Sequence, residues 1–156
     1  MVIGDLSSCS LYGLFQRELQ VELSILQGSL VKLRKHREKE NAIDMMLLSS
    51  SAIFGVARLV DLLSVAKISK SIAQYLRGAR ENDLEIPEED MDILLEAVKM
   101  LVSLYVCREE DVDKWVEDYD EDLKGIAKRI KAKTAETKER EGEEKKLVGR
   151  SRRNQR

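Results

Sequence analysis

The chain has 156 residues, 43% of them hydrophobic and 36% charged, and its 27 basic and 29 acidic side chains give a formal net charge of -2. This length predicts one domain with a single core, and the near-balanced charge gives no general attraction to nucleic acid or anionic lipid. Cys9, Cys107 and His36 are too few for a disulfide framework or a metal centre, so we predict reduced cysteines, no metal and no cofactor.

The first half of the chain predicts three helices. Apolar residues at spacings of three and four predict a first helix over residues 11–33, which the charged run 34–40 ends. A shorter second helix is predicted over residues 41–54, with Gly55 as a break or a point of close contact. The helical period then resumes over residues 56–76, a third helix.

The second half predicts two more helices and a tail. Pro87 with acidic residues directly after it is typical of a helix start, and an apolar stripe then runs to Leu104. A fifth helix is predicted over residues 111–133. The segment 134–156 has too little apolar surface to offset its ordering entropy, so we predict a frayed helix that passes into disorder.

Three stretches of this pattern resemble a known family. They are LFQRELQVELSILQGSLVKL, SSSAIFGVARLVDLL and LEIPEEDMDILLEAVKMLVSL. In order and spacing they are similar to histidine-containing phosphotransfer domains, particularly those at the N-terminus of chemotaxis histidine kinases. The resemblance implies an all-α, antiparallel up-down four-helix bundle with an additional C-terminal helix. The predicted organisation is an N-terminal segment 1–10, a bundle domain 11–133 and the tail 134–156.

The residues that carry phosphoryl transfer in that family are replaced in this chain. Alignment on Phe54 and Gly55 places Met45 at the phosphorylated histidine, Leu48 at the family's lysine and Ser49 at its glycine. Lys67 stands where those kinases carry a glutamate that hydrogen-bonds the imidazole. A thioether and an aliphatic side chain can neither accept a phosphoryl group nor offset its charge.

The resemblance therefore implies a degenerate module of a two-component or chemotaxis phosphorelay. It would bind a receiver or histidine-kinase domain without carrying phosphate, and so would not be an enzyme. The predicted contact face is formed by the second and third helices, at Met45, Leu48, Ser49, Gly55, Arg58 and Lys67. The alternative is a structural helical subunit of a larger assembly, joined through its first and fifth helices.

Other motifs leave weaker alternatives. His36 is either a displaced phosphoacceptor or a surface histidine, and it lies nine residues before Met45, on the opposite side of any continuous helix. The serines at 49–51 are either kinase substrates or a small-residue packing patch. The acidic segment 109–122 lacks the glycine and glutamate of a calcium loop, which favours a solvated helix face.

The terminal RSRRNQR is either an anchor for RNA, lipid or an acidic protein surface, or a solubilising tail. Neither a secretory signal nor an apolar run of about 18 residues is evident, so the sequence predicts a cytoplasmic protein.

Overall fold

The computed structural model describes residues 10–154, with the backbone alone at 140, 141, 144 and 151–154. Within that range it contains five α-helices and no β-strand, which confirms the all-α prediction. The helices are α1 (Leu11–Arg34), α2 (Lys39–Leu59), α3 (Leu63–Glu81), α4 (Glu88–Tyr105) and α5 (Val112–Asn154), and a 3-10 turn at Glu109–Asp111 precedes α5.

Local signals account for the starts of α1 and α4. The Ser10 hydroxyl accepts a hydrogen bond of 2.9 Å from the Gly13 amide, which satisfies one of the free N–H groups of the first turn of α1. Pro87 is the residue just before α4, and the next three residues are acidic, which suits the positive end of the helix dipole.

The boundary between α2 and α3 lies later than the sequence pattern indicated. Gly55 is an exposed residue inside α2, and a side-chain carbon added there would meet no atom within 4 Å, so it neither breaks the helix nor permits close contact. The chain turns instead at residues 60–62, where Asp61 adopts a left-handed backbone with φ of 58°. A glycine on an exposed helix face weakens the helix by about 1 kcal/mol, too little to end it.

The five helices close into a ring. The neighbouring pairs are α1 with α2, α2 with α3, α3 with α5, α5 with α4, and α4 with α1, whereas α3 and α4 touch only marginally. The predicted up-down four-helix arrangement is therefore not confirmed, because α5 lies between α3 and α4. The largest fully buried side chains come from all five helices: Leu19, Leu26, Ile43, Met46, Ile53, Ile68, Ile72, Leu76, Leu94, Leu101, Leu104 and Leu123.

Contacts at the helix ends fix the directions. Arg34 at the end of α1 bonds to Asp92 at the start of α4, so these helices are antiparallel. Arg80 of α3 bonds to Asp44 of α2 at 2.8 Å, which makes that pair antiparallel as well. In contrast, α3 and α5 are parallel, since residues 63–67 line one groove with 120–127, and residues 74–82 line another with 134–138.

α5 continues to Asn154, so residues 134–154, which the sequence predicted as a frayed helix that passes into disorder, are helical; the last two residues of that predicted tail lie outside the described part. The hydroxyls of Thr134 and Thr137 bond to carbonyls of the preceding turn, and Thr137 is buried. Beyond it every side chain that is described is exposed. Glutamate, lysine and arginine are strong helix formers, which explains why a segment without an apolar stripe still follows the helix. Its last turns project past the bundle.

The opposite end of the bundle is closed by a tyrosine of α1. The Tyr12 hydroxyl donates to the carbonyls of Leu104 and Cys107, at 3.4 and 3.2 Å. Burial raises the pKa of Tyr12 to about 12, and negative charge on Cys107 and Glu109 adds to the effect. The neutral phenol thus holds the start of α1 against the end of α4.

The stability of the protein should therefore fall at high pH in a way that depends on Tyr12. Its pKa in the folded protein lies above the ordinary value of 10.0, so the unfolded chain loses the proton first. The contribution is complete below about pH 10 and is lost as the pH rises towards 12. Denaturant titrations across this range should show a steeper fall in the free energy of unfolding for the wild type than for Tyr12→Phe. Equal slopes would contradict this assignment.

Candidate functional site

The outward side of α2 carries three of the predicted contact residues. Met45 is 36% exposed and Leu48 is 68% exposed, and Gly55 lies on the same side two turns further on. The next residue after Met45, Met46, is completely buried. The position that aligns with the family's phosphorylated histidine is thus a solvent-facing thioether.

α1 adds apolar side chains beside them. α1 packs against α2, and Glu22 of α1 lies beside Ser49 of α2, whose hydroxyl lowers the pKa of the Glu22 carboxyl; this neighbourhood indicates the register of the two helices. At 100° per residue, Leu14 and Val21 then face outward along the same seam, and both are about half exposed. We call the surface of Leu14, Val21, Met45 and Leu48 the α1–α2 face.

Two of the three consecutive serines point inward. Ser49 and Ser50 are each 1% exposed, and the Ser50 hydroxyl donates to the Met46 carbonyl of its own helix. Burial raises the pKa of Glu22, with a smaller opposing effect from the Ser49 hydrogen bond. Only Ser51 is exposed. This placement supports the packing interpretation, because a kinase cannot reach a buried hydroxyl.

The two predicted cations lie in separate places. Arg58 stands 5.7 Å from the centre of the Phe54 ring, and Lys70 of α3 lies 6.0 Å from the same ring. Lys67, however, lines the groove between α3 and α5 beside Asp120. The six predicted residues therefore do not form one constellation: three face outward on α2, Ser49 is buried, Arg58 flanks Phe54, and Lys67 faces α5.

His36 lies outside the α1–α2 face, before the start of α2. It is exposed in the turn between α1 and α2, with a left-handed φ of 53°. Met45 follows almost two turns into α2, on its outward side. The structure thus places the single histidine at the end of the bundle rather than at the position of the family's phosphoacceptor.

The acidic residues around the start of α5 do not converge. Within residues 10–154, no group of three or more histidine, cysteine, aspartate or glutamate side chains is placed to hold a metal ion. Asp120 instead pairs with Lys124 at 2.7 Å on the surface of α5. Cys107 is a free, partly buried thiol whose pKa is raised by burial, and Cys9 lies outside the described residues.

The apolar character of α2 exceeds what the core requires. Contrary to the sequence expectation, Lys39–Leu59 is long and apolar enough to cross a membrane by length and composition, with a mean hydropathy of 1.4. Only 39% of that window is buried, and the core helix of a soluble protein passes the same test. The helix packs between α1 and α3, so its remaining apolar residues form a surface feature.

Comparison with protein-family models, with curated proteins and with solved structures finds no match to this chain. The function therefore has to be argued from the surface itself. Sequence reasoning located Met45 and Leu48 but missed Leu14 and Val21. The available signal was that these two apolar residues fall off the main stripe of α1, which is Phe15, Leu19, Leu23, Leu26, Leu30 and Leu33.

Proposed function

We propose that this protein is a non-catalytic interaction module that binds a protein partner on its α1–α2 face. The observation that carries the proposal is the row of exposed apolar side chains at Leu14, Val21, Met45 and Leu48. Single exposed apolar residues are ordinary, but several of them on the outward side of two adjacent helices are typical of a protein interface. Methionine suits such a surface because its flexible side chain adapts to a partner.

The same surface argues against group transfer. A phosphorelay domain needs an exposed imidazole, a group that orients it and a cation that offsets the phosphate charge. At the aligned positions the chain offers Met45, Leu48 and a buried Ser49, and Lys67 faces α5 instead. These residues suit a surface that binds a partner without transferring a phosphoryl group.

The resemblance to phosphotransfer domains supplies the first partner class to test. A receiver domain or a histidine-kinase domain of a chemotaxis or two-component pathway would dock on this face, and the protein would act as an adaptor, decoy or brake in signalling. Arg58 and Lys70 lie over Phe54 where α2 meets α3, next to the α1–α2 face, and place positive charge where an acidic rim of the partner would meet it.

Calorimetry with the receiver and kinase domains of the same organism tests the proposal. The double variant Met45→Glu/Leu48→Glu should weaken binding by about tenfold or more, because two carboxylates would be buried in an apolar contact. Val31→Glu is the matched control, since Val31 is a half-exposed apolar residue on a different side of α1 from Leu14 and Val21, and the affinity of this variant should stay unchanged.

Two results would count against this function in different ways. If no receiver or kinase domain binds the wild type, the partner class is rejected. If a domain binds and the double variant binds equally well, the α1–α2 face is rejected as the site.

The alternative is a helical subunit of a larger assembly. The observation that favours it is α5, whose 43 residues far exceed the 18 to 24 residues of the other four helices. A projecting helix of this kind offers a second surface that the bundle does not use.

A further inference from the structure

The end of the bundle opposite to the projecting part of α5 holds an apolar groove of about 480 Å³. Its apolar walls come from the start of α1, the end of α2 and the start of α5, through Leu11, Leu59, Val60, Val112 and Val116. Leu11 and Leu59 are 56% and 69% exposed. We call this concavity the end groove.

The rim of the end groove is acidic. Asp61, Glu109 and Asp113 line it, and no lysine or arginine does. None of these three carboxylates forms an ion pair with another side chain in the described part of the chain. An apolar floor with an unneutralised acidic rim suits a ligand that combines apolar side chains with positive charge.

The projecting end of α5 has that composition. Leu147 and Val148 are 64% and 54% exposed, beyond the last buried residue of the helix. Residues 145–156 contain six basic side chains and no acidic one. Arg150 follows Leu147 by three residues, so the two share one side of the helix.

The helix cannot reach the groove of its own chain. α5 starts at the end groove with Val112 and runs along the whole bundle to its other end. At about 1.5 Å per residue, Leu147 lies roughly 50 Å from Val112 along a continuous helix. Any contact between them therefore joins two molecules.

We propose that the last turns of α5 of one molecule dock into the end groove of a second copy, with Leu147 and Val148 on its apolar floor and Lys146 and Arg150 on its acidic rim. The two surfaces are different, so a pair joined by one such contact still has one free groove, on the molecule that supplied the helix, and one free helix end, on the other. Such head-to-tail contacts produce chains or closed rings rather than symmetric dimers. This inference is independent of the α1–α2 face.

Sedimentation of the full chain tests the contact. The average mass of the wild type should rise with concentration up to several hundred micromolar, and added salt should reduce it because the rim contacts are screened. Leu147→Asp and Leu59→Asp should each weaken self-association by about tenfold or more, since each loses one apolar anchor. Val31→Asp is the matched control: Val31 is 50% exposed on neither surface, and its variant should associate like the wild type.

Mixing the two variants makes the test specific. The Leu147→Asp variant keeps an intact end groove, and the Leu59→Asp variant keeps an intact helix end. An equimolar mixture should therefore form one contact per pair and stop at a 1:1 dimer. A wild type that stays monomeric throughout, a Val31→Asp variant weakened as much as the other two, or a mixture without dimers would each overturn the proposal. Thermal melts by circular dichroism confirm that the variants are folded.

Discussion

A chain that ends at Cys107 should not fold cooperatively, whereas one that ends at Lys138 should melt close to the full-length protein. The shorter chain loses five large side chains that are buried against the other helices, namely Val112, Trp115, Leu123, Ile126 and Ile130. Each contributes about 1.5–3 kcal/mol by burial, and the sum is comparable with the whole stability of about 5–15 kcal/mol of a typical domain.

Circular dichroism melts of the two truncated chains provide the measurement. The chain ending at Lys138 keeps every residue of α5 that is buried, including Thr137, and so serves as the control. A cooperative transition at an unchanged temperature for the chain ending at Cys107 would show that α5 is an appendage and not part of the ring.

The neighbouring methionines Met45 and Met46 of α2 should differ strongly in how much the same substitution lowers the free energy of unfolding. Met46 is completely buried, so Met46→Ala should cost about 2–5 kcal/mol through lost burial and the cavity left behind. Met45 is 36% exposed, and Met45→Ala should change the free energy of unfolding by less than about 0.5 kcal/mol. Guanidinium titrations of both variants measure the difference.

This pair also tests the orientation of α2, on which the α1–α2 face depends. Consecutive residues of a helix are separated by 100°, so a rotation that exposed Met46 would turn Leu48 away from its present direction. Equal costs for the two variants would therefore contradict both the buried core and the proposed contact face.

Helices with strong local signals were predictable from the sequence. α1 and α4 have an uninterrupted apolar stripe, and Pro87 with its acidic neighbours marks where α4 begins. The turn between α2 and α3 has no comparable signal, because residues 60–62 contain neither glycine nor proline, and Asp61 takes the left-handed backbone instead. The sequence predicted a helix break at Gly55 because glycine is the residue that most often marks the end of a helix.

The arrangement of the helices was less predictable, for a physical reason. Periodicity shows which side of a helix is buried but not which helix covers it, so the place of α5 between α3 and α4 could not be derived. The same limit applies to the candidate site, because the sequence indicates which side of a helix is exposed but not which helix lies beside it. The outward position of Met45 and Leu48 agrees with the alignment, whereas Lys67 lies against α5, a neighbour that the family resemblance did not supply.

The insertion of α5 between α3 and α4 has a consequence for synthesis. A ribosome releases the first four helices before the fifth. The apolar sides of α3 and α4 that α5 covers in the folded protein therefore stay exposed to water until α5 has been made. The core is sealed only after Ile130 has emerged, so the nascent chain carries an open apolar cleft for part of its production. In that interval, chaperones that recognise such clefts have their best opportunity to bind.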